Sequence, residues 1–221
     1  SAASSQVESS IDYETARLER RLVAQRCSSP IAIDAVLDEA DWQSAPVATH
    51  FIQNNPREGE PATYDTEVRV LYDDENLYIG VMAFDDEPDK LVINDLTRDF
   101  NGSSGDVFGV AIDTFHDRRN GFYFGTNPRG AKNDGQFFNE GREWNQNWDA
   151  VWYVESRITE TGLVTELAIP LKSLRFRDQP EQTWGVQFLR RIRRLNEDSY
   201  WSPIPRIHRL NRVSLAGTLE E

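Results

Sequence analysis

Thr66-Glu67-Val68-Arg69-Val70-Leu71-Tyr72, then Asp73-Asp74-Glu75-Asn76, then Leu77-Tyr78-Ile79-Gly80-Val81-Met82-Ala83-Phe84 is the stretch on which the fold turns. Its first part alternates polar and apolar residues, so Val68 and Val70 share one face of a strand while Glu67 and Arg69 share the other. The middle four residues are polar turn formers. The last eight are almost continuously apolar, the pattern of a strand covered on both faces, and Met82 is expected in its core-facing set. Together they read as an antiparallel hairpin.

The same reasoning extends outward. Asp106-Val107-Phe108-Gly109-Val110-Ala111-Ile112-Asp113 forms a strand, His116-Asp117-Arg118-Arg119-Asn120-Gly121 a turn, and Phe122-Tyr123-Phe124-Gly125-Thr126 the return. Asn120-Gly121 is expected to supply the positive φ of that turn. Further strands are expected over 31–34, 136–139, 150–158, 163–169 and 184–192, with Glu160-Thr161-Gly162 as a tight turn. Leu37 to Trp42 and Pro170 to Leu174 read as short helical bridges. Residues 21–27 fit a strand or the end of a helix, and both readings stay open. The outcome is an all-β fold, a two-sheet antiparallel β-sandwich with short helical bridges. Its core should include Val70, Ile79, Ile112, Val151, Leu167 and Phe188. Residues 1–27 are expected to be a loose leader with a possible first strand, 28–218 the sandwich, and 219–221 the start of a continuation.

Composition narrows the function. The 221 residues carry 37 acidic and 24 basic side chains and a net charge of −13, a field that repels nucleic acid. Arginines at 190, 191, 193, 194, 206, 209 and 212 interrupt that balance, and pairing with carboxylates across neighbouring strands is the expected use of them. No apolar run approaches the roughly 20 residues of a membrane-spanning helix. Cys27 is the only cysteine, which excludes an intramolecular disulfide. Ser1-Ala2-Ala3-Ser4-Ser5 is the kind of start left by a removed signal peptide, so an exported protein is expected, periplasmic, outer-membrane associated or extracellular. No nucleophile elbow, zinc-protease helix or phosphate-binding loop occurs. His50, His116 and His208 are scattered, and a catalytic role is not expected.

Ile31-Ala32-Ile33-Asp34, Leu37-Asp38-Glu39-Ala40-Asp41-Trp42, Leu71 to Ile79, Ala168-Ile169-Pro170-Leu171 and Trp184-Gly185-Val186-Gln187-Phe188 resemble, in order and spacing, the signatures of family 9 carbohydrate-binding modules. Ala35 stands where that family generally has Gly. Asp113 to Gly121, Asn127-Pro128-Arg129-Gly130-Ala131 and Trp148-Asp149-Ala150-Val151-Trp152 are similar to the subgroup found in front of a carboxy-terminal region thought to be an outer-membrane β-barrel. The resemblance implies a jelly-roll-like sandwich without catalytic activity, structural calcium, and a sugar site built on tryptophans. It leaves open an interaction domain that serves such a barrel and has no sugar ligand.

Candidate ligand residues follow from exposed aromatics among amides. Trp144 comes first, in Glu143-Trp144-Asn145-Gln146-Asn147-Trp148, followed by Trp148, Tyr123 and Trp201, with Asn145 and Asn147 as hydrogen-bonding neighbours. For Trp144, Trp148 and Trp201 a packing role stays open, whereas Trp152 is expected in the core. Oxygen-rich turns make Asp106, Asp113, Asp117, Asn120 and Asp134 the candidate calcium ligands.

Overall fold

The computed structural model describes residues 11–221. Its elements are helix α1 (Tyr13–Leu18), strands β1 (Arg21–Val23) and β2 (Gln25–Arg26), helix α2 (Ala40–Ser44), and strands β3 (Ile52–Asn55), β4 (Thr66–Tyr72) and β5 (Asn76–Phe84). There follow β6 (Val107–Asp113), β7 (Gly121–Thr126), β8 (Lys132–Phe138), β9 (Glu143–Asn145) and β10 (Tyr153–Thr159). The last strands are β11 (Gly162–Pro170), β12 (Thr183–Ile192), β13 (Glu197–Tyr200) and β14 (Gly217–Glu220). Part of the expected leader, residues 1–10, lies outside the described residues. Asp12 caps α1 by accepting from the Thr15 amide, and residues 21–23 form a strand.

Two sheets pack face to face. The nine-stranded sheet runs β1-β14-β12-β6-β7-β8-β9, with β13 joined to β12 and β3 to β13, and the five-stranded sheet runs β10-β11-β5-β4-β2. Pairing is antiparallel except at two edges, where β1 lies parallel to β14 and β2 parallel to β4. The hairpin of β4 and β5 closes with Val70 opposite Ile79. These two residues, with Val68 and Val81, meet Phe108, Val110, Ile112, Phe124 and Phe188 of the other sheet in one buried cluster. Each such side chain contributes roughly 1.5–3 kcal/mol by leaving water.

The outer face of the five-stranded sheet is closed by the segment between β2 and β3. Trp42 is fully buried there against Leu71, Tyr78 and Ala168. Glu166 of β11 fastens it, its carboxylate accepting from the amides of Asp34 (2.9 Å) and Ala35 (2.6 Å) and from Trp42 Nε1 (3.0 Å). Ala35 holds φ at 59°, the left-handed region a glycine would enter freely, and it does so under this carboxylate.

Four expectations are corrected. Residues 31–34 form no strand, because their backbone turns to meet Glu166. Residues 150–152 precede β10, and Val151 is 58% exposed whereas Trp152 is 1% exposed. Successive side chains point to opposite sides, and Trp152, Ala150 and Val154 take the inner one. Met82 is half-buried on the outward face, opposite Glu67 and Val164. In the turn between β6 and β7, positive φ falls on His116 and Arg118 rather than on Asn120-Gly121. Gly121 is required there for space, since a Cβ would stand 2.6 Å from the Ile112 carbonyl oxygen and from the Phe137 ring.

Candidate functional site

The outer face of the nine-stranded sheet gathers a group of aromatic side chains. On β6, β7, β8 and β9 the residues facing away from the core are Ala111, Tyr123, Phe137 and Trp144, aligned by the register Ala111 to Tyr123 and Phe137 to Trp144. Glycines let these rings lie down. A Cβ at Gly135 would meet the Trp144 ring at 2.8 Å, and one at Gly125 would meet the Tyr123 hydroxyl at 2.0 Å. Trp144 stacks on Phe137 with centroids 6.4 Å apart and planes 12° apart, and Tyr123 tilts against it at 5.6 Å. Trp144 nonetheless remains 42% exposed.

Segment 202–216 crosses the same face. Ser202 and Gln187 tie it down through two hydrogen bonds, Gln187 Nε2 to the Ser202 carbonyl (2.7 Å) and the Ser202 amide to Gln187 Oε1 (2.9 Å). Leu210 and Val213 pack with Leu189 and Tyr200 beneath it. Between this segment and the aromatic shelf lies a recess of about 160 Å³ lined by Tyr123, Phe137, Trp144, Arg209, Leu210 and Asn211, with Ala111 at its base. It is a shallow recess against a wall rather than an enclosed cavity.

A second recess of about 420 Å³ opens on this face, lined by Asn55, Pro56, Ser103, Arg191, Arg193, Asn196 and Asp198. Gly109 lies between Ala111 and Val107 on β6 and pairs with Gly125, while Val107 pairs with Arg191. The recesses therefore sit on either side of Gly109 and Gly125, a strip over which the side chains of Tyr123 and Leu210 lie. Arg191 and Asp198 are cross-strand partners and form a two-pronged pair at 2.6 and 2.8 Å, which holds the guanidinium above its ordinary pKa. Burial pushes the Tyr123 phenol up to about 12 despite the nearby Arg191, so near neutrality it stays an uncharged donor and acceptor.

Of the residues nominated from sequence, the structure brings Tyr123 and Trp144 together. Trp148 lies on the opposite face of the sheet, half-buried against Phe122 (5.0 Å) and Phe124 (5.9 Å). Asn145 follows it, paired with Gln136 through Nδ2 at 3.3 Å, because strand neighbours alternate sides. Asn147 is exposed and donates its amide to Asn145 Oδ1. Trp201 is 3% exposed and packs on Phe188 in the core, so it presents no surface to a ligand. Phe137, Arg191, Asp198 and Asn55 were not nominated.

The five proposed calcium ligands do not converge. Asp106 accepts from the amides of Val92 (3.2 Å) and Arg193 (2.5 Å). Asp113 accepts from those of Asp117 and Arg118 at 3.2 and 2.6 Å. Asp117 closes its own turn with Arg119 and Asn120, and Asp134 binds Arg98 (2.9 Å) and the Ala150 amide (2.7 Å). Among the described residues no cluster of three or more His, Cys, Asp or Glu stands in metal-holding geometry. As placed, these oxygens cap backbone and pair with arginine, an arrangement that does not fit one shared ion.

Residues 33–192 match a family model described as carbohydrate family 9 binding domain-like. A crystal structure of a candidate carbohydrate-binding protein from Bacteroides uniformis aligns with a TM-score of 0.73 at 12% identity, over 91% of this chain and 98% of that one. A family 9 carbohydrate-binding module from Caldicellulosiruptor kristjanssonii in complex with cellotriose aligns at TM-score 0.60 and 15% identity, over 91% of this chain and 93% of that one. A module from the same organism in complex with glucose gives 0.60 and 16%, over 91% and 95%. At these identities the likeness shows the fold. No curated protein sequence matches the chain.

Proposed function

The chain belongs to the carbohydrate family 9 binding domain-like family, whose members bind rather than catalyse, and from that premise we propose that it binds glycan weakly on the outer face of its nine-stranded sheet. The observation that carries this reading is the aromatic shelf, Trp144 and Tyr123 lying flat over glycines beside a polar recess. A pyranose has one C–H face that covers an indole or phenol, and a rim of hydroxyls that needs partners. Here the partners are the Tyr123 hydroxyl, Asn211 and, on the far side of Tyr123, Arg191, Asp198 and Asn55.

The sugar's hydroxyls exchange water for protein hydrogen bonds of modest net worth. The expected affinity is therefore about 1 mM to 1 μM, or roughly 4–8 kcal/mol. The relatives solved with cellotriose and glucose make β-glucan oligosaccharides the first ligands to try. Calorimetric titration of wild type and Trp144→Ala tests the site. Trp144→Ala should weaken binding about tenfold, with the melting curve of the variant checking that it still folds, since the ring is 42% exposed and also covers Phe137. Undiminished binding by the folded variant would move the site elsewhere, and silence across a broad glycan panel would reject the function.

A further inference from the structure

The charge on this face runs against the charge of the molecule. The chain carries −13 overall, yet residues 190–212 hold seven arginines and two carboxylates. Part of that excess is spent inside the fold. Arg190 and Arg194 pair with buried Asp85, and Arg212 pairs with Glu140. Arg206 reaches Glu58 at 3.9 Å, and the remaining three face the two recesses. Arg191, Arg193 and Arg209 line them, and the single lining carboxylate, Asp198, is already held by Arg191 at 2.6 and 2.8 Å.

Arg193 and Arg209 are exposed. Arg193 donates from its guanidinium to Asn196 Oδ1, and Arg209 donates to the backbone carbonyls of Arg206 (3.2 Å) and His208 (3.3 Å). Among the described residues neither has a carboxylate within 4.0 Å. The recess of about 270 Å³ at one end of the sandwich has the reverse sign, with Asp73, Asp74, Glu220 and Glu221 against Arg26.

A neutral sugar gains little from cations that have no partner. Guanidinium groups match a carboxylate in plane and in donor spacing, and the two-pronged contact adds orientation as well as energy. At about 0.1 M salt, charges more than roughly 10 Å away are screened. The acidic remainder of the surface is then muted at contact, while the arginines in the recess are not. Resting on the glycan-binding reading, we propose that this face selects saccharides that carry carboxylates, a uronate polysaccharide, over neutral ones. A uronate ring stacks on Trp144 and Tyr123, and the carboxylates of that ring and its neighbours meet Arg209 on one side of Tyr123 and Arg193 on the other, while Arg191 stays paired with Asp198.

The experiment is calorimetric titration with β-1,4-linked tri-glucuronate and with cellotriose, matched in length and linkage, at 50 and 500 mM NaCl. Wild type, Trp144→Ala and the Arg193→Gln/Arg209→Gln double variant are compared, each with its melting curve. Tri-glucuronate should bind at least about tenfold tighter than cellotriose at 50 mM, because its carboxylates accept charged hydrogen bonds that the neutral sugar lacks. That preference should shrink at 500 mM, and it should fall about tenfold in the double variant. Trp144→Ala should weaken both ligands. Equal binding of the two saccharides overturns the selectivity and leaves the glycan reading standing, whereas binding of neither overturns both. Equally tight binding of a single-stranded oligonucleotide overturns the proposal in favour of a general polyanion patch.

Discussion

Asp113 closes the turn after β6 with a side chain that is fully buried. Its carboxylate caps the amides of Asp117 and Arg118, yet burial outweighs those donors and, with Asp117 close by, pushes its pKa up to about 6. A carboxyl whose folded pKa lies above its unfolded value binds its proton more tightly in the fold. Its favourable contribution is complete below about pH 4 and is lost as pH rises through 6, a swing of roughly 3 kcal/mol. Asp113→Asn cannot ionise. The stability of wild type relative to this variant should therefore fall by up to about that amount between pH 4 and pH 7, measured by urea unfolding at each pH. A difference that stays flat across that range would show that the caps hold the ionised form at no cost. Glu166 is set differently. Burial raises its pKa too, but three N–H groups converge on it, and its removal would strand all three donors.

At the scale of elements, the stretch leading into β10 separates two neighbours with opposite fates. Trp152→Ala removes a ring packed edge-on against Phe124 at 5.4 Å and should cost roughly 3–5 kcal/mol. Val151→Asp, on the solvent side, should stay within about 0.5 kcal/mol of wild type. Denaturant unfolding decides it, and a large loss at Val151 would mean that the parity of this segment is wrong. That parity was the weak point of the sequence, because residues 148–154 alternate well enough to be read as strand from the start. The hairpins of β4 with β5 and β6 with β7 were legible because alternation, turn residues and length agree there. Strands β3 and β13 were not. Glu197 and Asp198 are buried, the first because Thr63 reaches it from a distant part of the chain (3.0 and 2.5 Å) and the second because Arg191 pairs with it from the neighbouring strand. Trp144 was visible as an aromatic in a polar run, and Tyr123 as the outward residue between two phenylalanines. Phe137, Arg191 and Asp198 join them from other strands, an adjacency that only the sheet order reveals. The glycines at 109, 125 and 135, alternating with bulky residues, were the available hint of a shallow face.

Across the whole molecule, the sandwich sets its two broad faces to different uses. The segment before β3, fastened by Glu166, closes one, while segment 202–216 crosses the other and leaves the recesses beside it. The edge of the nine-stranded sheet has a further consequence. Strand β1 lies parallel to β14 with Arg21 opposite Thr218 and Val23 opposite Glu220, joined by hydrogen bonds from the Thr218 amide to the Arg20 carbonyl (2.8 Å) and from the Ala24 amide to the Glu220 carbonyl (2.7 Å). Tension drawn through the chain ahead of residue 21 and beyond residue 220 pulls these strands in opposite directions along their common axis. The bonds of a parallel pair are evenly spaced and slant across that axis, so they are loaded together in shear rather than peeled one at a time. In a single-molecule pulling experiment the domain should yield in one abrupt step, at a lower force once Leu22→Pro removes a bond from the clamp. A gradual extension at low force would show instead that the load enters elsewhere. A domain with its proposed binding face on one sheet would then be mechanically latched along one edge.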